Sequence, residues 1–340
     1  MLTVYFGTNR NPNRRNKPDD FTDRLNAESP RELRYGKAFV MDDGRNDTES
    51  RMQIQVAPEA LNPNRRGGPV LGSQTIFNEI RQKLSDRAPN SIGVLLYIHG
   101  FDYSFREAVG RTAYLHHQYG LDYVPVLFSW PSEGEKTPWR SYFRDREKAR
   151  ESGTALARGI LKMRDLIKDL AEEERCDVPI HLMVHSMGGY ALRQAVQGMR
   201  SEAGPRLDRL FHEIIMAAPD EDDDTFEHDH KLRPLIQLGR RITVYHCRTD
   251  RALQISDYTK GTPDRLGADG PKTGTMVPNR IEVVDCAVAA QGDGDFSDHQ
   301  YYRESPSARA DIQAVLKGEL GDTINNRVFV PQQGSYRIVP

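Results

Sequence analysis

Six short, nearly continuous apolar runs beginning after Ser91 constrain this chain more than any other feature. They read IGVLLYIHG, DYVPVLFSW, VPIHLMVHS, HEIIMAAPD, RRITVYHCRTD and RIEVVDCAV. Each is bounded by turn residues, and most are separated by helical segments. A strand apolar at consecutive positions must be covered on both faces, and a parallel sheet between helices provides that cover. The order strand, helix, strand, repeated along the chain, predicts a doubly wound, mostly parallel α/β sheet. The longest helical stretch is expected from Tyr142 to about Arg175, with Leu156, Ile160, Met163, Ile167 and Leu170 at helical spacing.

Residues 1 to about 90 have a different character. Strand-like pieces (Leu2 to Phe6, Lys37 to Met41, Arg51 to Val56) alternate with Asn, Pro, Arg and Gly-rich loops. A helix is expected from about Ser73 to Asp86, with Ile76, Phe77, Ile80 and Leu84 on one face and Ser73 as N-cap. The expected organisation is an N-terminal strand-rich extension over 1–90, a core over 91–317 and a C-terminal tail over 318–340, together one compact unit. The tail carries the fragments RVFV and YRIV, which the pattern does not place.

Composition narrows the function classes. The 340 residues hold 47 basic and 49 acidic side chains, a net charge of −2, so no overall field draws in nucleic acid or anionic lipid. The basic N-terminal stretch (Arg10, Arg14, Arg15, Lys17) lacks the interleaved aromatics of a nucleic-acid surface. Cys176, Cys247 and Cys286 lie far apart and form no C-x-x-C motif; the latter two end apolar runs and read as reduced core thiols. The opening residues show no leader pattern, and no run approaches the roughly 18 apolar residues that span a bilayer. A cytoplasmic protein is expected.

The segment IHLMVHSMGGYALRQAV places Ser186 between a strand ending at His185 and a helix opening with Met187-Gly188-Gly189. A serine on such a turn has its Oγ raised at the carboxyl edge of the sheet, with the helix's first N–H groups aimed where an oxyanion would form. The nucleophile elbow of α/β hydrolases reads G-x-S-x-G; here Gly188 fits and Val184 stands where the first glycine is expected. A serine cap with glycines easing helix–sheet packing is the bland alternative.

In an α/β hydrolase, the loop after an earlier strand supplies a second oxyanion N–H. Here that loop is His99-Gly100-Phe101-Asp102, and the expected donors are the N–H groups of Phe101 and Met187. His99 precedes the serine and is expected to brace the loop. The order of this fold is serine, then acid, then histidine. Of the ten histidines only His299 lies beyond RRITVYHCRTD, so His299 is the expected base. Asp250, in the turn after that run, is the expected acid; Asp220 is its main rival and Asp285 a weaker one.

HGFDYSF, FSWPSEG, VHSMGGYAL, AAPDEDDDTF, CRTDRAL and DHQYY resemble successive motifs of a bacterial branch of α/β hydrolases whose function has long been unknown. VYFGTNR and RYGKAFV resemble that branch's N-terminal extension, so the likeness covers most of residues 1 to 302. The resemblance implies a Ser186, Asp250, His299 triad. Two residues depart from the branch: Val184 where alanine is commoner, and Asp102 where the loop usually has asparagine. Asp102 is expected to point away from the oxyanion site and to hold the loop.

The run from Pro219 to His230 has five carboxylates at Asp220 to Asp224, then Glu227, His228, Asp229 and His230. It meets no metal-ligand spacing and reads as a solvated loop ahead of a helix, with no metal or other cofactor expected. Tyr103, Trp130 and Trp139 are candidates to line a substrate pocket, with core packing as the alternative for the tryptophans. The expected activity is hydrolysis of a small-molecule carboxylic ester through an acyl-enzyme, ahead of thioester, amide or lipid substrates. The alternative from another class is a non-catalytic scaffold of the same fold that binds a protein partner.

Overall fold

The computed structural model describes residues 1–14, 18–26, 33–45, 51–57, 72–86, 91–132, 138–172, 178–254, 264–272, 280–291 and 297–339, with backbone alone at 138–140 and 166–172. They form two compact units, Met1–Pro179 and Ile180–Pro340.

The first unit holds β1 (Leu2–Thr8), β2 (Arg10–Pro12), β3 (Phe21–Leu25), β4 (Arg34–Val40), β5 (Met52–Val56), α1 (Gly72–Ser85), β6 (Val94–Ile98), α2 (Phe105–Tyr119), β7 (Val124–Ser129) and α3 (Pro138–Glu172). Its strands run in the order β6-β7-β1-β4-β5, with β2 and β3 as a separate ribbon. β6, β7 and β1 are parallel, whereas β4 and β5 are added antiparallel. The extension strands thus continue the sheet instead of forming a layer of their own. They can do so because β1 is apolar where it must be: Val4, Tyr5 and Phe6 are buried, and Phe6 packs edge-on against Phe105 of α2 at 4.9 Å.

α2 opens with a capping box, in which Ser104 and Glu107 each accept the other's backbone N–H. The α1 helix begins at Gly72, one residue earlier than expected. Ser73 does not cap it; its hydroxyl accepts from Lys162 Nζ of α3 at 2.8 Å. The long helix starts at Pro138, a residue preset for a first helical turn.

The second unit holds β8 (Ile180–His185), α4 (Gly188–Ala203), β9 (Phe211–Ala217), α5 (Leu235–Leu238), β10 (Gly239–His246), α6 (Leu266–Asp269), β11 (Ile281–Asp285), α7 (Tyr301–Glu304), α8 (Pro306–Leu316), β12 (Arg327–Val330) and β13 (Ser335–Ile338). The order is β12-β13-β11-β10-β9-β8, parallel except for β12. The central strands are buried along nearly their whole length, as the apolar runs require. The tail fragments RVFV and YRIV are β12 and β13. They are locked on by Arg327, whose guanidinium donates to Asp311 at 2.6 and 2.8 Å and to Glu282 at 2.7 Å. Among the described residues no helix is long and apolar enough to cross a membrane.

The link from β9 to β10 departs from the sequence reading. Asp220, Glu221, Asp222 and Asp223 are buried and not solvated. Asp222 receives Arg193 of α4 at 3.2 Å, Lys231 at 2.9 Å and Arg265 at 2.9 Å, and Glu221 also receives Arg193 at 3.2 Å. Lys231, just past the run, and Arg193 and Arg265 from sequence-distant segments turn an acidic run into an internal strut. Among the described residues no group of His, Cys, Asp and Glu could hold a metal ion.

Candidate active site

β8 ends at His185, and Ser186 takes a left-handed backbone conformation at φ 52°. A non-glycine residue adopts this only when its surroundings over-determine it. Ser186 N–H donates to Ala217 O at 3.1 Å, while Ser186 O accepts from Gly189 N–H at 2.9 Å and Asp220 N–H at 3.0 Å. The elbow is therefore clamped between its own helix and the segment after β9. Val184 is fully buried in β8, in register with Met216, so the β-branched residue is housed as an ordinary strand position. The serine itself is 8% exposed.

Asp250 follows β10 in a turn closed by its N–H to Cys247 O at 3.0 Å. Its carboxylate is fully buried, and Oδ1 accepts from Leu253 N–H at 3.0 Å. Its Oδ2 accepts from His299 Nδ1–H at 2.6 Å. That bond fixes the proton on Nδ1 and leaves Nε2 as the basic nitrogen. Burial pushes the Asp250 carboxyl above its ordinary range, against the pull of His299 and the backbone N–H of Leu253. Of the other two acids considered, Asp285 serves the tail: Oδ1 accepts from Ala287 N–H at 2.9 Å and Oδ2 from Arg337 at 3.1 Å. Asp220 is buried in the strut segment.

The loop carrying His299 is held at several points. Arg251 N–H donates to Ser297 O at 2.9 Å, joining that loop to the Asp250 turn, and Asp298 takes φ 52° just before the histidine. The His299 ring lies 4.7 Å from the His185 ring, centroid to centroid, and His185 lies 4.5 Å from Tyr302. Tyr301 Oη donates to Tyr245 O at 2.8 Å and accepts from Ala218 N–H at 3.1 Å, pinning the start of α7 to the ends of β9 and β10. His185, Tyr301 and Tyr302 were not singled out from the sequence. Their one legible signal was adjacency to Ser186 and His299.

In the first unit, the loop from His99 to Tyr103 has Asp102 at φ 65°, with Asp102 N–H donating to Ser132 Oγ at 2.7 Å. The Asp102 side chain is exposed. His99 is fully buried, stacked on Trp130 at 5.2 Å and 7°; burial and the nearby Arg10 charge push it down to about 3. It is thus a neutral brace at physiological pH. Trp130 has no exposed surface and donates Nε1–H to His99 O at 2.9 Å, and Tyr103 is buried under the Arg111 guanidinium at 5.3 Å. Both side chains pack around the loop. Trp139 lies in the first turn of α3, and its side chain falls outside the described residues.

Two further observations bear on chemistry. Of the five non-glycine residues with positive φ among the described residues, three (Ser186, Ala218, Asp298) lie in the second unit's loops around Ser186 and His299, and one (Asp102) lies in the first unit's loop after β6. Among the described residues, neither Phe101 N–H nor Met187 N–H has a hydrogen-bond partner. A donor left open is available to a ligand oxygen.

A family model described as an alpha/beta hydrolase of unknown function (DUF900) matches residues 74–317, more than half of the chain. No curated protein matches the chain.

Proposed function

The chain belongs to this family of α/β hydrolases, and we propose that it is a serine hydrolase that cleaves a carboxylic ester through an acyl-enzyme. The observation that carries the reading is the buried Asp250–His299 pair at 2.6 Å, with the His299 ring against the residue that precedes Ser186. In this reading His299 Nε2 takes the proton from Ser186 Oγ as that oxygen attacks the ester carbonyl. The C–O bond to the alcohol then breaks, and the alcohol leaves with the proton from His299. Water, activated by the same nitrogen, attacks the acyl-enzyme and releases the acid. Asp250 keeps the imidazole in one tautomer and stabilises the imidazolium.

The N–H groups of Phe101 and Met187 are assigned to the oxyanion. Tyr103 and Trp130 shape the substrate pocket by bracing the loop behind it, and Trp139 is assigned to its lining. Buried free thiols at Cys247 and Cys286 suit the reducing cytoplasm, which we take as the location.

Labelling by a fluorophosphonate probe tests the reading directly. A stoichiometric adduct on Ser186, lost in Ser186→Ala, is expected. Absence of any Ser186-dependent adduct on folded protein overturns it and leaves the non-catalytic scaffold. With p-nitrophenyl esters, Asp250→Asn should lower kcat by about 10³–10⁴-fold. Full activity in Asp250→Asn with loss in Asp220→Asn transfers the acid's role to Asp220.

A further inference from the structure

The strand end Thr8-Asn9-Arg10 is polar, yet all three residues are buried, Arg10 to 1% exposure. Taking a guanidinium out of water costs several kcal/mol unless its donors are satisfied in place. Every acceptor that satisfies Arg10 is neutral. Nε donates to Ser129 Oγ at 2.9 Å, Nη2 to Tyr103 O at 2.6 Å, and Nη1 to Ser132 O and Thr22 O at 3.4 Å each. Among the described residues no carboxylate hydrogen-bonds to it; Asp145 acts on it by charge and is linked to it by hydrogen bonds through Ser132, whose Oγ donates to Asp145 Oδ2.

These partners converge on one loop. Ser129 Oγ, at the end of β7, also lies 3.3 Å from His99 Nε2, and His99 Nδ1 lies 2.8 Å from Gly100 O. Ser132 Oγ accepts the N–H of Asp102, the residue at φ 65°. The guanidinium fork thus spans both sides of the turn, gripping the carbonyl of Tyr103 after Phe101 and the serine that braces the histidine before it. Arg10 itself is fixed by β2, where it pairs with Leu25, and by its N–H to Thr8 Oγ1 at 3.1 Å.

We propose that Arg10 is a positioning residue through which the N-terminal extension sets the conformation of the oxyanion loop. The proposal rests on the serine-hydrolase reading and gives the first strands of the extension, which precede the matched family region 74–317, a role in the reaction. The planar fork, and not charge alone, is what the geometry uses. Lysine can supply the charge but cannot reach Tyr103 O, Ser129 Oγ and Ser132 O together.

The test compares wild type, Arg10→Lys and Ser129→Ala in the full chain. Arg10→Lys should speed amide hydrogen exchange in residues 99–104. It should lower kcat for a p-nitrophenyl ester roughly 10–100-fold, with KM within about twofold, because a displaced oxyanion donor acts only in the transition state. Affinity for an alkyl boronic acid, which forms an anionic tetrahedral adduct, should fall in parallel with kcat. Ser129→Ala, which removes only a hydroxyl, should show the same split in milder form, and it carries the test if Arg10→Lys does not fold. Unchanged exchange in 99–104 with kcat within twofold of wild type in the folded variant overturns the proposal. So does a rise in KM equal to the loss in kcat/KM. If wild type itself takes no fluorophosphonate, the hydrolase reading fails; exchange in 99–104 still decides whether Arg10 holds the loop.

Discussion

Asp102 sits one residue beyond the proposed oxyanion donor Phe101 and is the residue that most needs an explanation there. Aspartate tolerates φ 65° better than most side chains, so the turn accounts for its backbone. Its charge is a different matter. Partial desolvation and the neighbouring Glu107 raise its pKa, and in its anionic form it opposes negative charge developing on a nearby oxygen. Asparagine keeps the turn and the N–H to Ser132 and removes that opposition. Asp102→Asn should therefore raise kcat by a few-fold at pH 7, and the gain should shrink as pH falls through the raised Asp102 pKa. A pH–kcat profile of both proteins checks this; a gain of constant size at every pH excludes the electrostatic cause. The charges that matter at this scale were readable as letters, but their neighbours were not. Nothing in the sequence pairs Arg10 with Tyr103, 93 positions away.

At the scale of elements, the six apolar runs became strands because their pattern is local and self-sufficient. The connection from β9 to β10 did not follow its local pattern. An acidic run exposed to water needs no partners, whereas this one is anchored by Arg193, Lys231 and Arg265. Burial resists ionisation of Asp222, yet Lys231, Arg265 and Arg193 outweigh it and hold the group down to about 2, from 3.8. A depressed carboxyl pKa stabilises the fold fully above the unfolded value. That contribution is lost as pH falls from 3.8 toward about 2. Asp222→Asn should lower Tm at pH 7 by roughly 2–4 °C, a figure discounted for partial exposure of the network. The difference from wild type should narrow below pH 4. Thermal unfolding followed by circular dichroism across that range reads it, and an equal deficit at pH 7 and pH 2.5 refutes the linkage.

For the whole molecule, the matched family region 74–317 leaves out parts that each unit builds into its sheet. β1 lies between β7 and β4 in the first unit, with Val4, Tyr5 and Phe6 buried, and aliphatic or aromatic burial contributes about 1.5–3 kcal/mol per side chain. β13 pairs with β11 in the second, and removing the tail strips Asp311 of its Arg327 partner, a loss of about 3–5 kcal/mol. Together these approach the 5–15 kcal/mol that holds a typical domain folded. A fragment spanning 74–317 should therefore fail to fold when expressed alone. Collapsed dispersion in its amide NMR spectrum is the expected result, and a spectrum that overlays on the full chain's core signals contradicts it.

The sequence by itself determined the strand series and which of the histidines lies beyond the strand that precedes Asp250. These depend on periodicity and chain order, which are properties of neighbours along the chain. Only the tertiary structure decided that the extension joins the first unit's sheet and that the acidic run is an internal strut. It also decided that the His185 ring packs against both His299 and Tyr302 and that Arg10 grips the loop after β6. Most of these are settled by contacts between residues tens to more than a hundred positions apart. Burial in those contacts reverses what a polar letter means, because a charge that would be solvated in a loop must find partners once water is excluded.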